Sequence, residues 1–74
     1  MAKEVQTVEE LVDLLRQRRK DLGVTQTDLA DFSGLHRKAI GKIESHNADP
    51  RLSSILRMSE LLGLKILVST NEDT

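Results

Sequence analysis

Apolar residues recur along this chain at intervals of three and four, the spacing that lines one face of a helix. Val8, Leu11, Val12, Leu15 and Leu22 form the first series. It opens on Thr7-Val8-Glu9-Glu10, which reads as a capping box: the Thr7 hydroxyl accepts a first-turn N–H while Glu10 reaches back. It closes at Gly23, a residue that tolerates the left-handed backbone of a helix end. The pattern predicts a helix over Val8 to Leu22. A second helix follows Thr25, an N-cap with Asp28 three residues on, and runs to about Phe32, burying Leu29, Ala30 and Phe32. Ser33-Gly34 supplies a turn, with Gly34 suited to positive φ. A third helix, from about His36 to Ser45, buries Ala39, Ile40 and Ile43. After the loop His46-Asn47-Ala48-Asp49-Pro50, Asp49 is placed to cap a fourth helix with Pro50 at its first position. Leu52, Ile55, Leu56, Ser59 and Leu62 share one face of that helix, and Gly63 ends it. Lys65-Ile66-Leu67-Val68-Ser69 breaks the helical period; it is short and β-branched and reads as a strand. The expected organisation is an N-terminal arm (1–7), a helical domain (8–63), a strand (64–69) and a flexible tail (70–74).

At 74 residues the chain has room for one domain with a modest core, and little for a deep catalytic pocket. The absence of cysteine excludes disulfides, thiolate chemistry and sulfur-ligated zinc. No apolar run approaches the roughly 20 residues of a membrane span, and Met1-Ala2-Lys3-Glu4 lacks the apolar core of a secretory signal. A cytoplasmic protein with no membrane partner is expected. No nucleophile–base set, phosphate loop or pocketed carboxylate pair is visible, so neither enzymatic activity nor a cofactor is expected. His36 and His46 have no nearby acidic cluster and do not have metal-site spacing.

The net charge of −1 argues against a nucleic-acid partner, but its distribution argues for one. Residues 1–15 carry one Lys against four Asp or Glu, and residues 58–74 one against three. Residues 16–57 carry nine Lys or Arg against five Asp or Glu. Binding depends on the local field, which is positive in the middle of the chain.

The series Arg19-x-x-x-Gly23-x-Thr25-Gln26-x-x-Leu29-Ala30-x-x-x-Gly34-x-x-x-x-x-Ile40-x-x-Ile43-Glu44, followed by Pro50 and Leu52, resembles the Cro/repressor-type (XRE-like) helix-turn-helix domains of phage repressors and small bacterial regulators. The match spans roughly residues 11–63. The resemblance implies an all-α, four- to five-helix, lambda-repressor-like DNA-binding fold, here with a short C-terminal β-strand used for dimerisation. It implies an internal ion pair between Arg19 and Glu44, and a Gln26 that contacts phosphate and braces the recognition helix. Arg37, Lys38 and Gly41 match positions that face base edges, and arginine can bridge guanine O6 and N7. Gly41 departs from the polar residue common there and brings no side-chain contact. Lys42 is placed for a phosphate or flanking base, and Thr25, His36, Ser45, Asn47 and Arg51 complete the expected DNA-contacting set. His36 and Arg51 also depart from the family pattern, standing where a small capping residue is usual.

The final strand is similar to that of HipB-type antitoxins, which pair with HipA-like kinases; such a kinase toxin is a candidate partner, and the acidic Asn71-Glu72-Asp73-Thr74 tail a candidate contact to it. A single strand needs a partner for its backbone groups, and nothing else in the chain reads as one. An identical strand from a second copy supplies it, through Leu64, Ile66, Leu67 and Val68, in a two-fold interface. A homodimer then presents two recognition helices to half-sites ~34 Å apart, so the expected target is double-stranded DNA with an inverted repeat.

Overall fold

A computed structural model describes residues 2–71. Among them lie four helices: α1 (Val8–Asp21), α2 (Gln26–Ser33), α3 (Arg37–Glu44) and α4 (Leu52–Leu61).

Local chemistry sets most of their ends. Thr7 Oγ1 accepts from the Glu10 backbone N–H at 3.1 Å and donates to Glu10 Oε1 at 3.2 Å, so the expected box at α1 is half made, its carboxylate held by the hydroxyl. At α2 the box is complete, with Asp28 N–H to Thr25 Oγ1 at 3.0 Å and Thr25 N–H to Asp28 Oδ2 at 3.1 Å. α1, α3 and α4 each end in the paired 6→1 and 5→2 bonds of a Schellman motif: Val24 N–H to Arg19 O, Asn47 N–H to Lys42 O, and Leu64 N–H to Ser59 O close them. The left-handed residues of these three motifs are Gly23, His46 and Gly63. Helix α4 starts later than expected. Arg51 is its N-cap, without a side-chain cap bond, and Asp49-Pro50 stays in the loop.

The core draws on every helix: Val12 and Leu15 from α1, Leu29 and Ala30 from α2, Ile40 and Ile43 from α3, Ile55 and Met58 from α4, with Leu62 just beyond. Helix α2 packs against α3 and α4, and α1 against α3. On α4 the buried stripe is Ile55, Met58, Ser59 and Leu62, spaced i, i+3, i+4, i+7. Met58 replaces Leu52 and Leu56 in the expected core because the stripe is set by the side of α4 that meets α2. Leu52 is left 70% exposed. Phe32, in the last turn of α2, points outward and is 65% exposed; Val8 and Leu22 at the ends of α1 are also open. All lie near helix ends, where a neighbouring helix no longer covers the flank.

Two long cations close helix C-termini from other helices. Arg18 Nε donates to Leu62 O at 2.8 Å, and Arg57 Nη2 to Phe32 O at 3.3 Å, meeting carbonyls that a helix end leaves unpaired.

The expected strand does not form within the chain. Residues 64–70 are irregular, and only Leu64 tucks against the core while Val68 is 95% exposed. A strand exists through its ladder, and among the described residues no second segment offers one. Residues 72–74 of the expected partner contact, with the acidic Glu72 and Asp73, lie outside the described residues.

Candidate nucleic-acid interface

α2 and α3 meet through the Gly34 turn, whose N–H bonds Ala30 O at 3.0 Å with φ at +76°. Leu35 N–H then bonds Ser33 Oγ at 3.1 Å, fixing the direction in which the chain enters α3. His36 caps α3 only through its backbone, because its side chain makes no cap bond. No acidic residue stands in the first turn; Arg37 and Lys38 do. Cations are disfavoured at the positive end of a helix by about 0.3–1 kcal/mol each. α3 therefore begins against its own stability, with free N–H donors and two cations on an exposed surface, an arrangement that suits an approaching anion. Lys42, one turn further, is also exposed.

A buried polar cluster holds this helix pair. Arg19 grips Glu44 with two bonds, Nε to Oε2 at 2.7 Å and Nη2 to Oε1 at 2.8 Å, and its Nη1 donates to Val24 O at 2.7 Å. The Arg19 and Glu44 side chains are only 10% and 3% exposed. Gln26 Nε2 donates to Glu44 Oε1 at 2.9 Å. One carboxylate at the end of α3 thus ties down α1 and the first residue of α2. Burial pushes the Glu44 carboxyl up, but the Arg19 and Gln26 hydrogen bonds and the charges of Arg19 and Arg16 outweigh it, leaving the group below its ordinary value. The Arg19 pKa is raised, chiefly by its hydrogen bond to Glu44. Asp28 is lowered by the Thr25 backbone N–H and hydroxyl of the capping box.

A helix-turn-helix family model matches residues 15–68. The chain belongs to the helix-turn-helix family, in its Cro/repressor-type branch. It is 36% identical over 50 residues to the SPbeta prophage-derived uncharacterized HTH-type transcriptional regulator YonR of Bacillus subtilis, a match covering 68% of the chain and 46% of that protein. It is 38% identical over 50 residues to an uncharacterized HTH-type transcriptional regulator of Methanothermobacter thermautotrophicus, covering 68% of the chain and 72% of the relative. The fold matches a chain of the HipA-HipB-O2-O3 complex with a TM-score of 0.85, covering 96% of this chain and 100% of that one; at 18% identity this is a likeness of fold.

Within this helix-turn-helix, the residues singled out in the sequence divide by what they touch. His36, Arg37, Lys38, Lys42 and Arg51 are exposed, and Gln26 and Gly41 half-buried between α2 and α3. Thr25 Oγ1 is engaged as the α2 cap. Ser45 donates its hydroxyl proton to Lys42 O at 3.2 Å and accepts from Asn47 Nδ2 at 3.0 Å, so these two first order the loop. Three of the nine central cations, Arg18, Arg19 and Arg57, serve helix ends and the ion pair.

Two residues join the region that the sequence reading left out. Arg16 lines a shallow groove with Gln26, Gly41, Glu44, Ser45 and His46. The available signal was its position three before Arg19, on the same side of α1. His46 takes positive φ (64°) after α3 and sets Nε2 2.9 Å from Asp13 Oδ1, linking the loop to α1. Histidine is among the residues enriched in that backbone region, but only the packed helices bring Asp13 to it. Among the described residues no helix is long and apolar enough to cross a membrane, and no group of three or more His, Cys, Asp or Glu is placed to hold a metal ion.

Proposed function

We propose that this protein is a sequence-specific DNA-binding transcriptional regulator, a repressor that lays α3 in the major groove. The observation that carries the reading is the first turn of α3, which holds Arg37 and Lys38 on an exposed surface and has neither an acidic residue nor a side-chain cap. Arg37 and Lys38 address base edges. Lys42, Gln26, Arg16 and Arg51 address phosphates on either side, with His36, Thr25, Ser45 and Asn47 at the margins. The HTH-type regulators among its relatives support the same reading.

Selection from a random double-stranded DNA pool, followed by titration at several salt concentrations, tests it. Arg37→Ala should reduce discrimination at one base-pair position by about 1–3 kcal/mol, the worth of a bidentate guanine contact. Lys42→Ala should weaken binding to all sequences alike and lower the salt slope by about one unit. Equal losses on selected and random DNA for Arg37→Ala would defeat base readout.

The protein acts as a homodimer on an inverted repeat, in this reading, with residues 64–69 of two copies pairing. The exposed Ile66, Leu67 and Val68 beyond the core support it. A more specific role as antitoxin to a HipA-like kinase draws on the fold's full-length likeness to a chain of the HipA-HipB-O2-O3 complex. Co-expression with a kinase-like protein encoded beside it is the test: relief of that kinase's toxicity supports the role, and unrelieved toxicity leaves a stand-alone repressor.

A further inference from the structure

Gly41 sits in the middle of α3, one turn after Arg37 and on the same side. A Cβ placed at position 41 would lie 3.2 Å from Arg37 Nη1 and 3.8 Å from Gln26 Oε1. The guanidinium of Arg37 therefore runs forward along the helix and rests over the bare backbone of Gly41, beside the first residue of α2. Among the described residues its nitrogens make no hydrogen bond or ion pair, so no polar contact draws it there and its donors stay available. A glycine at an ordinary helical φ weakens the helix, and neither a turn nor positive φ requires one at this position.

We infer that Gly41 is a specificity-determining residue: by carrying no side chain it seats the Arg37 guanidinium over the middle of α3, so that Arg37 reads the base pair a side chain at position 41 would face. One turn of helix is about 5 Å along its axis, so the head of Arg37 lies over the position that residue 41 presents rather than over its own. A β-carbon at 3.2 Å asks the guanidinium to yield by a few tenths of an ångström; a longer side chain evicts it. The two residues act as one reading unit, and specificity at that base pair belongs to neither alone. This rests on the proposal that α3 reads DNA.

The test measures affinities of the full chain for every single-base variant of its selected half-site, at fixed salt, for the parent, Gly41→Ala, Gly41→Leu, Arg37→Ala and the Arg37→Ala/Gly41→Leu double variant. Gly41→Leu should cut the parent's base preference about tenfold at the position where Arg37→Ala erases it, and Gly41→Ala should do so by a smaller factor. In the Arg37→Ala background Gly41→Leu should remove no further preference for the parent's base there. Both substitutions at 41 should melt no lower than the parent, because alanine and leucine favour helix over glycine. A preference within twofold of the parent's in Gly41→Leu, a change confined to another base pair, or additive losses in the double variant would each overturn the inference while leaving DNA reading intact. A parent chain with no sequence preference would overturn both.

Discussion

Glu44 illustrates how much one side chain organises here. It receives three charge-assisted or amide hydrogen bonds, two from Arg19 and one from Gln26, while nearly excluded from solvent. Removing one partner leaves a buried charge uncompensated, so Arg19→Met should cost about 3–5 kcal/mol in chemical denaturation at neutral pH. The sign of the pH dependence follows from the lowered Glu44 pKa. The unfolded chain takes up the proton more readily than the folded one, so the stabilisation is complete above the unfolded carboxyl's value of about 4.5 and is lost as pH falls from there through the folded value. Glu44→Gln should be less stable than the parent at pH 7 and should show a shallower loss below pH 4.5, read as denaturation midpoints against pH. Equal acid slopes in the two proteins would mean that other carboxylates govern acid unfolding. The sequence pairs Arg19 with Glu44 only through family resemblance, and Gln26 joins them because α2 starts beside the end of α3.

The helices differ in how their starts are made, and the difference separates stability from binding. α2 has a full capping box; α3 and α4 begin on His36 and Arg51, neither of which caps with its side chain. Arg51 already has the extended backbone of an N-cap, at φ −69° and ψ 146°. Arg51→Asp should therefore stabilise the fold by about 1 kcal/mol, raising Tm by about 4–8 °C for a domain of this size. The same change should weaken DNA binding if Arg51 meets a phosphate; calorimetry and a binding titration on one preparation read both effects. At the other end of α4, Gly63 holds φ at +71° and a Cβ there would stand 3.3 Å from Arg18 Nη2, the arm that caps Leu62 O through Nε. Gly63→Ala should cost about 1–2 kcal/mol from the backbone alone, with a further loss if Arg18 is displaced. A Tm unchanged in Gly63→Ala would show that this end relaxes freely.

Among the described residues nine apolar side chains are buried, eight from the four helices and Leu62 just beyond, while Ile66, Leu67 and Val68 stay outside. The proposed pairing of residues 64–69 with a second copy would cover this apolar segment. The chain cut after Gly63 should sediment as a monomer at micromolar concentration while the full chain is dimeric, and its affinity for an inverted repeat should fall to that for a single half-site. A truncated protein that stays dimeric would move the interface to the exposed Leu52, Leu56 and Phe32 on α4 and α2.

Features that depend on neighbours within four or five residues were legible in the chain itself: the helical periods, Thr7 and Thr25 as caps, Gly23 and Gly63 as stops, and the cations of α3. Features that depend on which surfaces meet were not. The rotation of α4 against α2 chose Met58 over Leu52 for the core, the end of α2 left Phe32 in solvent, and packing of α1 on α3 brought Asp13 to His46. Whether residues 64–69 are a strand is decided at a higher level still, because a ladder needs a second backbone and the described residues do not supply one. The physical boundary is the range of the interactions: hydrogen bonds of a turn are written into adjacent residues, whereas burial and ion pairing are properties of what the fold places alongside.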